Sequence, residues 1–186
     1  MDVIIGRMIR AARLESQLYE EVEHDVNATQ QAAIVVGIVA ICSLIGGVLA
    51  FILGAGIAAA VGQPASTAGL GQLIIWGLIG PFITWIIFSY VAFFVGTRMF
   101  AGTATPGELL RCLGFAQSPG VLAILAFIPC LNIILAIVLL VWSVCAGVIA
   151  IRQALDITTQ NAIITGVISF VILIVIQIVI RGILGI

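Results

Sequence analysis

The chain has 186 residues, of which 63% are hydrophobic and only 8% charged, with a formal net charge of −1. A soluble domain carries about 25% charged residues, so this composition excludes a water-soluble globule and places the chain in lipid. The near-zero balance leaves no global attraction to nucleic acid, and the basic charge is entirely arginine, seven residues in all.

The first 25 residues carry charges of both signs and no early apolar core, so no cleavable signal peptide is expected. This segment has helical periodicity instead. Ile4, Met8, Ala11, Leu18 and Val22 fall on one side, flanked by Ile5, Ile9, Ala12 and Tyr19, while Arg7, Arg10, Arg13, Gln17, Glu20 and His24 fall on the other. One amphipathic helix is predicted over residues 1–27. Two placements suit it: on an anionic membrane surface with its arginines toward the headgroups, or packed under the protein's own cytoplasmic side.

Residues 26–97, 112–151 and 157–180 carry no formal charge. A membrane-spanning helix needs about 20 mostly apolar residues, so these stretches hold two, two and one spans. The predicted fold is all-α, a polytopic bundle of five transmembrane helices over residues 28–186, with spans at about 32–61, 73–95, 107–128, 131–155 and 162–184. In the first span Gly46, Ala50, Gly54, Ala58 and Gly62 form a small-residue stripe at spacing four, which lets another helix approach closely. The neighbour is either internal or a second copy.

Before the third span, Thr105-Pro106-Gly107-Glu108 suits a capping box with proline at the first helical position, so a helix is predicted to start at Pro106. The span is then interrupted at Ser118-Pro119. Ser118 suits an N-cap and Pro119 the first helical position, which predicts two short helices. Gln117, Ser118, Pro119 and, further on, Asn132 form a candidate broken-helix site. Half-helix ends in transporters bind ions or anionic substrates, whereas a kink near the interface is the plainer alternative. From Arg111 to Pro119 is about 12 Å of helix, so the break need not reach the midplane.

Arg152 and Asp156 lie four apart and are expected to pair across one turn; with Glu108 and Arg111 they suggest a charged cytoplasmic contact face. Thr158 or Thr159 suits the cap of the fifth span. Near that span's end, Gln177 and Arg181 share a face, with Arg181 snorkelling to the outer interface or contacting a partner. If the amino terminus is cytoplasmic, six arginines lie inside and only Arg181 outside, so the carboxyl terminus is predicted outside.

No HExxH, GxSxG or phosphate-loop motif occurs, and catalysis has no evident residues to carry it. Cys42, Cys112, Cys130 and Cys145 form no CxxC pair and suit small apolar packing positions, and the lone His24 has no companions spaced for a metal. No metal or cofactor is expected.

The segments "GELLRCLGFAQSPGVLAILAFIPCLN" and "VWSVCAGVIAIRQALDITTQNAI" resemble the Yip-domain family of small five-span membrane proteins, and "LYEEVEHDVNATQQA" resembles its prokaryotic members. The likeness is clearest from Gly107 to Ile164. Gly114-Phe115 followed by Pro119 matches the family's Gly-aromatic pair before a proline in the third span; Phe115 stands where many eukaryotic members have tyrosine. The resemblance implies a cytoplasmic amino terminus and, in eukaryotic relatives, Rab-type GTPase binding, self-association and roles in membrane traffic. The short amino-terminal segment carries no recognisable GTPase-binding motif, so a small GTPase enters by family analogy only. The expected partners are the lipid bilayer and other integral membrane proteins or a second copy, in a prokaryotic plasma membrane. The function read from these features is a non-enzymatic scaffold or accessory subunit. The alternatives are a small-solute or lipid carrier using the broken third helix, and a membrane-shaping or trafficking factor.

Overall fold

A computed structural model describes residues 1–61 and 69–184, with side chains as far as Ile180. Gly62, the last member of the small-residue stripe, and the Arg181 side chain lie outside the described residues. The described residues form seven α-helices and one 3-10 helix: α1 Asp2–Ala12, α2 Ser16–His24, α3 Ala28–Ala60, α4 Leu70–Phe100, α5 Pro106–Ala116, the 3-10 helix Ser118–Phe127, α6 Leu131–Leu155 and α7 Thr159–Leu184. Five of these units, counting α5 with the 3-10 helix as one, are long and apolar enough to cross a membrane.

The helix starts follow from side-chain chemistry. At α5 the Thr105 hydroxyl accepts from the Glu108 amide at 3.4 Å, and the Glu108 carboxylate accepts from the Thr105 amide at 2.9 Å. The Thr105 and Glu108 amides are thereby satisfied, as the spacing predicts. At α7 the Thr158 hydroxyl accepts from the Asn161 amide at 3.3 Å. The first two spans run longer than predicted. α3 begins at Ala28, because the polar Thr29, Gln30 and Gln31 continue the helix, and α4 extends to Phe100. At 33 and 31 residues they measure about 50 and 46 Å, well beyond a hydrocarbon core of about 30 Å, so their ends project or tilt.

Around the bundle, α3 packs against α4, α4 against α7, α7 against α6, α6 against the 3-10 helix, and the 3-10 helix back against α3. This closes a ring. α5 touches α3, α4 and α6 and fills the ring at one end. The third span thus serves two places: α5 lies among the other helices, and beyond the break its continuation takes a position between α3 and α6.

The amino-terminal segment departs from the predicted single helix. Leu14 adopts a left-handed backbone (φ 61°), which ends α1 and turns the chain back into α2 as a helical hairpin. The predicted apolar face is buried at Ile4, Ala11, Leu18, Tyr19 and Val22, in one hydrophobic core with residues of α3, α4, α5 and α6. Arg7 and Arg10 pair with acids of the same segment. Arg7 bonds Glu21 (2.8 Å) and Asp25 (2.9 Å), and Arg10 bonds Glu15 (3.1 Å) and Glu21 (2.6 Å). The acidic second half of the segment neutralises its basic first half by folding onto it. Of the two placements that the sequence allows, packing against the protein's own bundle accounts for the buried face.

Candidate functional site

The break in the third span is set by Pro119. It has no N–H and disfavours helical geometry at the preceding residue, so the i→i+4 ladder of α5 stops at Ala116. The chain continues as a 3-10 helix rather than the second α-helix expected. Ser118 does not cap it. Its buried hydroxyl donates 2.6 Å back to the Phe115 carbonyl, one of the acceptors that the missing Pro119 N–H leaves without its usual partner.

The residues flanking the break are fixed by close packing. A Cβ on Gly114 would stand 2.7 Å from the Ala32 Cβ and 3.3 Å from the Trp85 ring, so only glycine lets α5 approach α3 and α4 there. Phe115 beside it is fully buried. The Trp85 indole donates to the Leu110 carbonyl at 3.0 Å, tying α4 to α5. A Cβ on Gly46 would collide with the Ala123 carbonyl oxygen, so part of the small-residue stripe is consumed internally, against the 3-10 helix. Further along α3, Gly54 is exposed and a Cβ there would meet no atom within 4 Å. Ala50 and Ala58 are half-buried.

One cavity adjoins the break and a second lies beside it on α4. The first, about 360 Å³, is lined by Trp76, Thr84, Trp85 and Phe88 of α4, Ser143 of α6 and Gln117 at the end of α5. The second, about 530 Å³, lies between α4 and α7, where Gln177 donates to the Thr84 hydroxyl at 3.3 Å. Trp76, Gly80 and Thr84 line both, so the two share one face of α4. Asn132, exposed in the first turn of α6, lines neither and is not brought to Gln117.

The predicted charged face disperses. Arg111 is not on a solvated rim: it is buried, and its guanidinium donates to the carbonyls of Val22 (2.9 Å) and Glu23 and to the Thr29 hydroxyl (3.3 Å). Glu108 serves the cap of α5. Arg152 and Asp156 do not pair, because Asp156 takes a left-handed backbone (φ 53°) that ends α6 and turns away. Arg152 donates instead to Gln153 (2.8 Å) and Thr159 (3.4 Å), and Asp156 accepts from Thr103 (3.4 Å).

One buried acid was not singled out by the sequence pattern. Glu23 is buried at the docked end of α2, and its Oε2 has no hydrogen-bond partner. Burial pushes its carboxyl up to about 7; Asp156, Glu108 and Glu20 add in the same direction, and His24 opposes them. The signal available in sequence was only that Glu23 lies one position from the apolar face. Among the described residues no group of three or more His, Cys, Asp or Glu side chains comes together as a metal site.

A ring of five apolar spans, the third divided at a proline, defines a polytopic helical membrane protein. A family model, the Yip1 domain, matches residues 16–180, and the chain belongs to that family. No curated protein and no solved structure matches it.

Proposed function

We propose that this chain is a non-enzymatic membrane scaffold or accessory subunit. It associates with other integral membrane proteins, or with a second copy, through the far half of α3. Gly54 carries the reading. On the same stripe Gly46 already brings another backbone into contact, so the surface is suited to close helix approach, yet a Cβ on Gly54 meets nothing within 4 Å among the described residues. In lipid no hydrophobic force holds helices together, and close approach at small residues supplies van der Waals contact in its place. The exposed Ile52, Leu53 and Ile57 flank it with apolar bulk suited to lipid or to a partner helix.

Arginine placement supports an amino terminus inside the cell and a carboxyl terminus outside. The hairpin of α1 and α2 then forms the inner face, with the bilayer and neighbouring membrane proteins as partners. A small GTPase partner stands on family analogy alone.

The experiment is Gly54→Leu in the full chain, crosslinked in native membranes. The expected result is loss of the higher-mass species with the monomer's thermal unfolding unchanged. Complexes of unchanged size refute the assignment.

A further inference from the structure

The cavity at the break has a chemical character that goes beyond helix association. Its volume, about 360 Å³, falls in the range of about 300–1,000 Å³ usual for small-molecule sites, and it shares Trp76, Gly80 and Thr84 with the 530 Å³ space on α4. Three aromatic side chains, Trp76, Trp85 and Phe88, line it. The Trp85 ring is held in place by its bond to Leu110, so this part of the wall is preformed. The polar groups are all uncharged: Thr84, Gln117 and Ser143.

The carboxyl-terminal end of α5 adjoins the space, with Leu113, Ala116 and Gln117 among its lining. A helix end of this polarity carries about half a negative charge on its unpaired carbonyls. The Gly114 carbonyl accepts from the Gln117 amide and the Phe115 carbonyl from the Ser118 hydroxyl. In the i→i+3 pattern that follows α5, the Ala116 carbonyl would pair with residue 119, and Pro119 has no N–H. Aromatic faces are likewise negative at their centres. Aromatic side chains and the nearby carboxyl-terminal end of α5 therefore bias the cavity toward positive charge, while no charged side chain lines either space among the described residues.

The geometry points to a binding site for a lipophilic organic cation, such as a quaternary ammonium or phosphonium, between α4, α6 and the end of α5. A compact inorganic cation is a poor fit. It would need several oxygen ligands to replace its water, and the cavity offers no carboxylate. A large, weakly hydrated cation sheds water easily and gains from aromatic faces in a desolvated pocket. An anion would meet the same groups with the wrong sign.

The test uses the purified full chain in detergent with tetraphenylphosphonium, and with tetraphenylborate as the probe of equal shape and opposite charge. Saturable binding of the cation, with much weaker binding of the anion, is expected. Phe88→Leu and Trp76→Leu keep apolar bulk and remove a ring; each is expected to weaken the cation by about three- to thirtyfold. Trp76→Phe, which keeps a ring, is expected to retain most of the affinity. Thermal unfolding of each variant verifies that the bundle is intact, and either leucine variant suffices if the other fails to fold. Equal binding of the two probes, no saturable binding by the folded chain, or unchanged affinity in a folded leucine variant overturns the assignment. None of these outcomes bears on assembly through Gly54, which is read by crosslinking.

Discussion

Arg111 and Val22, 89 residues apart, are joined by a 2.9 Å hydrogen bond from the guanidinium to the backbone carbonyl. The same side chain reaches the Glu23 carbonyl and the Thr29 hydroxyl, so one arginine gathers the end of α2, the start of α3 and α5. The last carbonyls of a helix have no partner within it, and Arg111 supplies two of them. Replacing it with methionine keeps the stem and removes the donors. Hydrogen bonds from a charged group are worth about 1.5–3 kcal/mol each, and losses within one network do not add fully. Arg111→Met is expected to release the hairpin, detected as faster protease cleavage between Leu14 and Asn27. Arg111→Lys is expected to rescue it only in part, because an ammonium lacks the fork that meets several acceptors at once.

Glu23 makes hairpin docking sensitive to pH. Its folded value, about 7, lies above its ordinary value of 4.5. Below the ordinary value the carboxyl is protonated in both docked and free hairpins, and docking is strongest. As pH rises from 4.5 to 7 the free form ionises more readily, and stability is lost across that window. Glu23→Gln is expected to match the parent near pH 4.5 and to unfold several degrees higher at pH 8. A shift of roughly 2–4 °C accompanies each kcal/mol in a chain of this size. Glu21 and Asp25 have the opposite sign. Arg10 and Arg7 hold Glu21 below its ordinary value, and Arg7 does the same for Asp25, so their contribution is lost only at more acid pH. Thermal unfolding from pH 8 down to about pH 2 separates the two.

The stripe on α3 divides into two halves with different sensitivity. Gly46→Ala forces a methyl against the Ala123 backbone, and overpacking of this kind costs about 1–3 kcal/mol. Gly54→Ala is expected to leave stability unchanged or to raise it by up to about 1 kcal/mol, since a Cβ there meets no atom within 4 Å among the described residues and alanine favours the helix. Paired thermal unfolding of the two single variants measures the contrast. Equal destabilisation would mean that the far half of α3 is packed within the chain after all.

Ala101 ends α4 in a left-handed conformation (φ 51°) that costs a non-glycine residue about 1–2 kcal/mol. Ala101→Gly relieves that strain and adds flexibility to the unfolded chain, so a net gain of about 0.5–1 kcal/mol is expected in the same assay.

The spans, the capping box at Thr105 and the break at Pro119 were legible because each rests on local signals: apolar length, cap spacing and a missing N–H. The turn at Leu14 was not. Leucine gives no warning of a left-handed backbone, and the periodicity of residues 2–24 runs through the break in phase. Arg111 looked like a rim charge because its acceptors are backbone carbonyls, which every sequence contains. The pairing of Arg152 with Asp156 failed for a related reason: spacing by four implies contact only while the helix continues, and α6 ends between them. The aromatic cavity draws on α4, α5 and α6 together, and its lining emerges only once the ring is closed.

Five crossings are the claim on which the rest stands, and an odd number puts the two ends of the chain on opposite faces of the membrane. Protease protection of tags fused at Met1 and after Ile186, in sealed vesicles of known orientation, reads this directly. The account predicts that the amino-terminal tag is cleaved only from the cytoplasmic side and the carboxyl-terminal tag only from the other. Cleavage of both tags from one side contradicts it.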